Sequence, residues 1–245
     1  MKYDESLKYF REGKFDEPRG VSVCYGCLLA VIVFCFIVVP IFIFQTVPVL
    51  MQSMYPTIHG GNAGTGELRD CVGLSLLSGY GHGDIVVFER TENNATTRLI
   101  KRIVGVPGDT MFLVDEDGDG GADAVEIETD FEGKRTRARL IEPYLNTEFG
   151  RYVANEGADK GNIGTNKWAR ELWSEEGLTL GAGEYFVAGD NRKESKDSFS
   201  FGPISGKAIL GKAVCIFVKS GHSFLFWDIY NIKGTGPSVT LKQIA

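Results

Sequence analysis

The strongest constraint on this chain is a run without a single charged residue, Val21 to Phe44, VSVCYGCLLAVIVFCFIVVPIFIF. Wound as one α-helix, its 24 residues would reach roughly 36 Å, enough to cross the ~30 Å hydrocarbon layer of a bilayer. A cleaved leader has a shorter apolar region followed by a small-residue cleavage site, whereas here QTVPVLMQS follows. A buried core helix would show one polar face, and this run is apolar all round. Pro40 near its far end is tolerable in a membrane span. The reading is a permanent anchor. Lys2, Lys8, Arg11, Lys14 and Arg19 precede the run, and after Phe44 no Lys or Arg occurs until Arg69. That asymmetry predicts a cytoplasmic tail (1–20), a transmembrane helix (21–44) and an extracytoplasmic domain (45–245), in a single-pass protein of the cell's inner (plasma) membrane. The lipid bilayer is therefore an expected partner, and the net charge of −6 speaks against a nucleic-acid binder.

Beyond the run the pattern changes to short β-branched and aromatic segments separated by turns. DIVVFER (84–90), RLIKRIVGV (98–106), TMFLV (110–114), EYFVAG (184–189) and KAVCIFVK (212–219) read as strands. HGD (82–84) and VPGD (106–109) read as turns, and only NKWARELWSEE (166–176) reads as helical. A mainly β, antiparallel domain is expected. Its core should be about 45–110 and 178–220, interrupted by a polar, irregular insert of about 111–177. In that insert nine acidic residues between Asp115 and Glu132 precede Lys134, Arg135, Arg137 and Arg139, a pattern expected of a solvated hairpin face. Of five cysteines, Cys24, Cys27 and Cys35 fall in the apolar run as small filler. Whether Cys71 and Cys215 pair is left open by their spacing.

Three segments could carry chemistry, and each has a plain structural reading beside it. Ser53 in MQSMYPTIHG is a nucleophile or a turn residue. Lys101 lies in the apolar strand LIKRIVGV beside Arg102. Strand alternation sends these two cations to opposite faces, so one of them should point inward. A desolvated lysine loses its proton readily and becomes a general base near neutral pH; the alternative is a lysine that snorkels to the sheet edge. In GEYFVAGDNRKESKDSFSFGP (183–203) a strand runs into a dense polar loop, which could equally be a salt-bridged turn.

Taken together, SMYPT (53–57), GDIVVF (83–88), IKRIVGVPGD (100–109) and GDNRKESKDS (189–198), in this order behind an anchor, resemble the bacterial-type type I signal peptidases, or leader peptidases. The resemblance implies a signal-peptidase-like β-sheet fold and a membrane serine peptidase that removes signal peptides from exported preproteins. It implies that Ser53 is the nucleophile and Lys101 the general base, a Ser–Lys variant of triad logic that passes through an acyl-enzyme. Ser195 would orient Lys101, and Asp197 and Arg192 would hold the loop. No cofactor is required. Two positions depart from the family pattern. Met51 stands where many members carry a Ser that donates to the oxyanion hole, and Phe199 replaces an arginine that would pair with Asp197. Two other classes stay open: a related Ser–Lys peptidase dedicated to one substrate such as a pilin or conjugation factor, and an inactive membrane-anchored module that binds peptides or calcium.

Two further patterns lie outside those boxes. DEDGDGGADAVE (115–126) has the spacing of a calcium loop, with Asp115, Asp117, Asp119, Asp123 and Glu126 as carboxylate ligands, the Gly121 carbonyl as another and Gly120 at the sharp turn. Its flanks read as strands rather than the helices of an EF-hand, and the alternative is a solvated acidic tip. SFLFWDIY (223–230) clusters Phe224, Phe226, Trp227 and Tyr230, either as core or as an aromatic patch in the lipid interface.

Overall fold

Main-chain hydrogen bonding divides the chain among strands far more than helices, as the alternation of its apolar segments demands. The computed structural model describes residues 19–38, 44–62, 70–77, 79–131, 133–145, 166–219, 227–231 and 242–243. The chain separates into two compact units, Met1–Ile43 and Phe44–Ala245.

In the first unit an α-helix, Arg19–Val33, continues as a π-type turn, Phe34–Val38. Its described side chains from Val23 to Phe36 are all exposed, Phe36 at 76% and Tyr25 at 65%. No described helix is long and apolar enough to cross a membrane. Residues 39–43 of the uncharged run lie outside the described residues.

The described residues of the second unit form two antiparallel sheets. The larger uses β1 (Phe44–Pro48), β2 (Asp70–Ser75), β3 (Ile85–Glu92), β4 (Ala95–Gly105), β9 (Glu184–Ala188), β10 (Ile204–Ser205), β11 (Ile209–Lys219) and β12 (Trp227–Asn231). Its order is β1-β2-β11-β3-β4-β9-β10, with β12 also on β11. The smaller uses β5 (Thr110–Val114), β6 (Ala124–Phe131), β7 (Lys134–Arg139), β8 (Leu178–Thr179) and β13 (Lys242–Gln243), in the order β13-β7-β6-β5-β8. The five strand segments read from the sequence are β3, β4, β5, β9 and β11. The helical segment shortens to Lys167–Leu172, capped by Asn166, whose side chain accepts from the Trp168 and Ala169 amides.

The central hairpin β3–β4 turns through Asn93 and Asn94, at φ 51° and 62°, the positive values that a type I′ turn needs. Pairing from this turn sets Val86 opposite Lys101 and Ile85 opposite Arg102. Both faces of β3 are covered: Ile85 and Val87 join one apolar cluster with Met54, Ile58 and Leu74, while Val86 and Phe88 join another with Ile103 and Val187. A strand buried on both faces reads as a continuous apolar run, which is why IVVF shows no alternation.

The described residues of 111–178 are more ordered than their polarity suggests. Met111, Leu113, Val125, Ile127, Leu140, Leu172 and Leu178 share one core cluster with Val104, Phe186, Ala188 and Phe199 of the larger sheet and its loop. The charges of β6 and β7 pair across the hairpin, Arg135 with Glu128 at 2.8 Å and Arg137 with Glu126 at 2.7 Å. The hairpin face is thus solvated as expected, but self-neutralised across strands. Cys71 and Cys215 are both free thiols; Cys71 lies opposite Phe217 and Cys215 opposite Gly73. The aromatic tail is strand β12 on β11 from Trp227 onward, and Phe224 and Phe226 lie outside the described residues.

Gly202 and Gly183 share a left-handed backbone but differ in the space around them. Gly202 ends the helical turn Ser198–Phe201 at φ 85°, and a Cβ there would fall 2.2 Å from the Trp168 ring. Gly183 has a similar φ of 76° with nothing within 4 Å. Gly183→Ala should therefore cost only the left-handed backbone, about 1–2 kcal/mol, and Gly202→Ala about 1–3 kcal/mol more from overpacking. Thermal melts should place Gly202→Ala below Gly183→Ala, by roughly 2–4 °C per kcal/mol. Equal melting temperatures would refute the close Trp168 packing.

Candidate active site

Ser53 stands in a tight turn, 51–58, on the chain between β1 and β2. Two interactions from the loop after β9 grip its peptide units. The Asn191 amide N–H donates to the Ser53 carbonyl at 3.0 Å, and Asn191 Nδ2 donates to the Gln52 carbonyl at 3.1 Å. The turn is anchored on its far side by Thr57, whose hydroxyl donates to Asp190 Oδ2 at 2.5 Å.

Lys101 approaches from the middle of β4. Its Nζ lies 2.5 Å from Ser53 Oγ, and its side chain is 3% exposed. Burial drives the ammonium pKa down from 10.5 to about 8, against the pull of Asp197 and Asp190 in the other direction. At that value a useful fraction is free amine near neutral pH.

Arg102, next in the strand, is 0% exposed. Alternation does separate the two cations, but both are buried, not one: the sheet is covered on both sides here. Arg102 forms a two-pronged pair with Asp190, Nε to Oδ1 at 2.9 Å and Nη2 to Oδ2 at 2.6 Å, and gives Nη1 to the Gly83 carbonyl at 2.8 Å. Such a fork matches carboxylate geometry and cannot lose its proton.

The loop 189–198 gathers the remaining expected residues. Asp197 is 1% exposed and accepts from the Gly189 amide at 2.9 Å and the Phe199 amide at 3.2 Å, capping the helical turn that follows. Burial raises its carboxyl pKa, opposed by the Gly189 amide, the Ser195 hydroxyl, and then Lys101 and Arg192. Ser195 is buried and meets Asp197 through that hydroxyl. Its place beside the dyad is defined by Gly189, where a Cβ would lie 2.2 Å from Ser195 Oγ and 2.5 Å from the Ser53 carbonyl oxygen. Only glycine leaves room there for both the Ser195 side chain and the Ser53 carbonyl.

The ion-pair partner of Arg192 is Glu142, from the polar stretch that follows β7. Arg192 also donates from Nε to the Gly189 carbonyl at 3.0 Å, and its guanidinium lies 5.9 Å from the Phe199 ring. Phe199 fits where the family's arginine would stand because it packs edge-on against Phe186, centroids 4.9 Å apart, inside the shared core. Met51 offers no hydroxyl. It is held at φ 62° with its side chain 63% exposed, and its amide donates to the Gly61 carbonyl at 2.9 Å.

The acidic loop gathers fewer ligands than its spacing suggests. Carboxylate oxygens of Asp115, Asp117 and Asp123 lie within 4.8 Å of one another. Asp119 instead accepts from the Gly121 amide at 2.8 Å, and Glu126 is committed to Arg137 on the strand face. The reason is the fold: the loop closes a β-hairpin, which carries the twelfth position onto the sheet instead of back over the loop. Three carboxylates could hold a cation there. Of the described histidines, His82 Nε2 lies 2.6 Å from Asp109, tying the turn before β3 to the turn after β4, and His59 Nδ1 lies 3.6 Å from Asp70.

Sequence reasoning missed Asp190, Asn191, Thr57 and Gly189 as individual supports, although all lie in or beside motifs already noted. It missed Glu142 and Tyr144 altogether. They are an acid and an aromatic in a polar stretch, with no periodicity to mark them.

Comparison with known proteins agrees with the geometry. A family model described as signal peptidase, peptidase S26, matches residues 22–218. The chain is 30% identical to signal peptidase I V of Bacillus subtilis over 52% of its own length and 61% of that protein's. It is 30% identical to signal peptidase IB of Staphylococcus aureus, over 74% of this chain and 77% of the relative. With signal peptidase I of Bacillus licheniformis it shares 30% identity over 67% and 72%. The serine, the buried lysine and the loop that grips them all fall inside the matched span, and the chain belongs to the signal peptidase family, peptidase S26.

Proposed function

We propose that this protein is a membrane-anchored serine endopeptidase that removes the signal peptides of exported preproteins, with Ser53 as nucleophile and Lys101 as general base. The observation that carries the assignment is the 2.5 Å approach of Lys101 Nζ to Ser53 Oγ, made by an amine whose pKa burial has lowered to about 8. The free amine takes the serine proton as Oγ attacks the carbonyl carbon before the scissile bond. The tetrahedral adduct then expels the amine of the mature protein, which takes its proton from the Lys101 ammonium, and leaves an acyl-enzyme beside a free Lys101 amine. Lys101 next draws a proton from water, whose oxygen releases the signal peptide and restores Ser53. Ser195 and Asp197 keep the loop closed against the dyad, and the Ser53 N–H is a donor for the developing oxyanion.

The anchor belongs to the same proposal. Apolar side chains exposed along the helix from Val23 to Phe36, inside a 24-residue uncharged run, suit lipid far better than water. The basic residues before the run support a cytoplasmic N-terminus. Substrates emerging from export would then meet Ser53 on the outer side. We also propose that calcium, where present, binds Asp115, Asp117 and Asp123 as a support of the hairpin tip, separate from the chemistry.

Three outcomes are expected. With the full-length enzyme in detergent and a model preprotein, Ser53→Ala should abolish cleavage and Lys101→Ala should slow it by about 10²–10⁴-fold. Undiminished cleavage by either variant would remove that residue from the mechanism. For the wild type, kcat/KM should rise tenfold per pH unit up to about 8 and level off above, because Lys101 acts only when deprotonated and its pKa is lowered to about 8. A midpoint near 6.5, where histidine titrates, would transfer the role of base elsewhere. In calorimetry, millimolar calcium should bind the wild type and Glu126→Gln alike but not Asp117→Ala; no heat at ten times that concentration would leave the tip as bare charge.

A further inference from the structure

We infer that Glu142 and Tyr144 are positioning residues that hold the catalytic loop in register, an assignment that rests on the Ser53–Lys101 reading. The two side chains come from a segment with no motif, LIEPYL (140–145), yet they complete a buried polar network that stops at the dyad. The Glu142 carboxylate is 4% exposed, and its Oε1 accepts from both Arg192 and the Tyr144 hydroxyl. From there two lines run to the site.

The first passes through Arg192. This guanidinium, also 4% exposed, gives Nε to the Gly189 carbonyl at 3.0 Å. Gly189 in turn gives its amide to Asp197 at 2.9 Å and lies against both Ser195 and the Ser53 carbonyl. The second line passes through Tyr144, whose ring covers the Arg102 guanidinium at 3.7 Å. Arg102 holds Asp190, and Asp190 holds Thr57 in the nucleophile turn. Glu142 is the anion bonded to Arg192, as Asp190 is to Arg102. Removing its charge would leave the buried guanidinium without its bonded anion and with only the more distant Asp197 to offset it, which is more damaging than removing a whole ion pair.

The same stretch grips the loop at its other end. Asn166 Nδ2 donates to the Phe199 carbonyl at 2.9 Å, and Trp168 closes on Gly202. Both ends of the loop that carries Asn191, Ser195 and Asp197 are thus held, one by Glu142 and the other by Asn166 and Trp168. A nucleophile and base must stay aligned to a fraction of an ångström, and misplacement by about 1 Å can cost 10² in rate.

The test is steady-state cleavage of a model preprotein by the full-length enzyme, per mole of folded protein as judged by thermal melts. Glu142→Gln preserves shape and removes the charge. It should lower kcat about tenfold or more and leave KM within about twofold, since it touches no substrate. Tyr144→Phe keeps the ring over Arg102 and should lose only a few-fold in kcat. If Glu142 acts through Arg192, the double variant Glu142→Gln/Arg192→Gln should be no slower than Arg192→Gln alone. Wild-type kcat in folded Glu142→Gln, a loss confined to KM, or additive losses in the double variant would each overturn the inference. Should Glu142→Gln fail to fold, wild-type kcat in Tyr144→Phe would overturn it and a few-fold loss at constant KM would support it. A wild-type enzyme that cleaves nothing, or a fully active Ser53→Ala, would instead overturn the dyad reading beneath it.

Discussion

The Arg102–Asp190 pair is the joint on which the site depends. Its two prongs, 2.9 and 2.6 Å long, tie the middle of β4 to the loop after β9. Further bonds from the same two side chains reach the Gly83 carbonyl and Thr57, and the Tyr144 ring closes over the guanidinium. Five segments distant in sequence converge on one ion pair with both side chains at 0% exposure. A pair buried this deeply adds little net stability, because desolvation offsets most of the attraction. What it provides is geometry: a planar fork accepts a carboxylate in few orientations.

That geometry is what allows the neighbouring Lys101 to work. Burial alone would tend to strip its proton, while Asp197 and Asp190 favour keeping it. The balance near 8 leaves an amine that is basic enough to take a proton and acidic enough to be free when needed. Asp197 feels the converse pressure, its carboxyl raised by burial and steadied by the Gly189 amide and Ser195. The two groups are thereby coupled through the loop, and a change in its packing reaches the base electrostatically as well as sterically.

Much of this is legible in the sequence. Strands β3, β4, β5, β9 and β11 announce themselves by β-branched runs between turn residues, and the four boxes place Ser53, Lys101 and Ser195 by resemblance. The supports were harder to read. Sequence alternation assigns Lys101 and Arg102 to opposite faces but does not say that both faces are covered. The resemblance implies that Arg192 holds its loop but does not supply the ion-pair partner, Glu142, which comes from a distant polar stretch. The calcium spacing at 115–126 matched position by position, but spacing predicts a ligand shell only if the backbone keeps its helical exit. Here the exit is β6, and Glu126 leaves with the strand. Polar composition also hid the role of 111–177, since its apolar residues alternate along strands and contribute to a common core only after pairing.

The two-residue turn at Asn93–Asn94 has a consequence well away from its own position. Because side chains in β4 alternate, the turn acts as a phase reference for everything downstream in the strand. One residue added or removed there, with the remaining pairing shifted to match, would exchange the faces of Lys101 and Arg102. Ser53 would then confront a guanidinium, a group of nearly the same reach and charge that never gives up its proton. The chemistry of this enzyme is therefore encoded partly as a parity, and a hairpin tip whose residues are all exposed is where that parity is set.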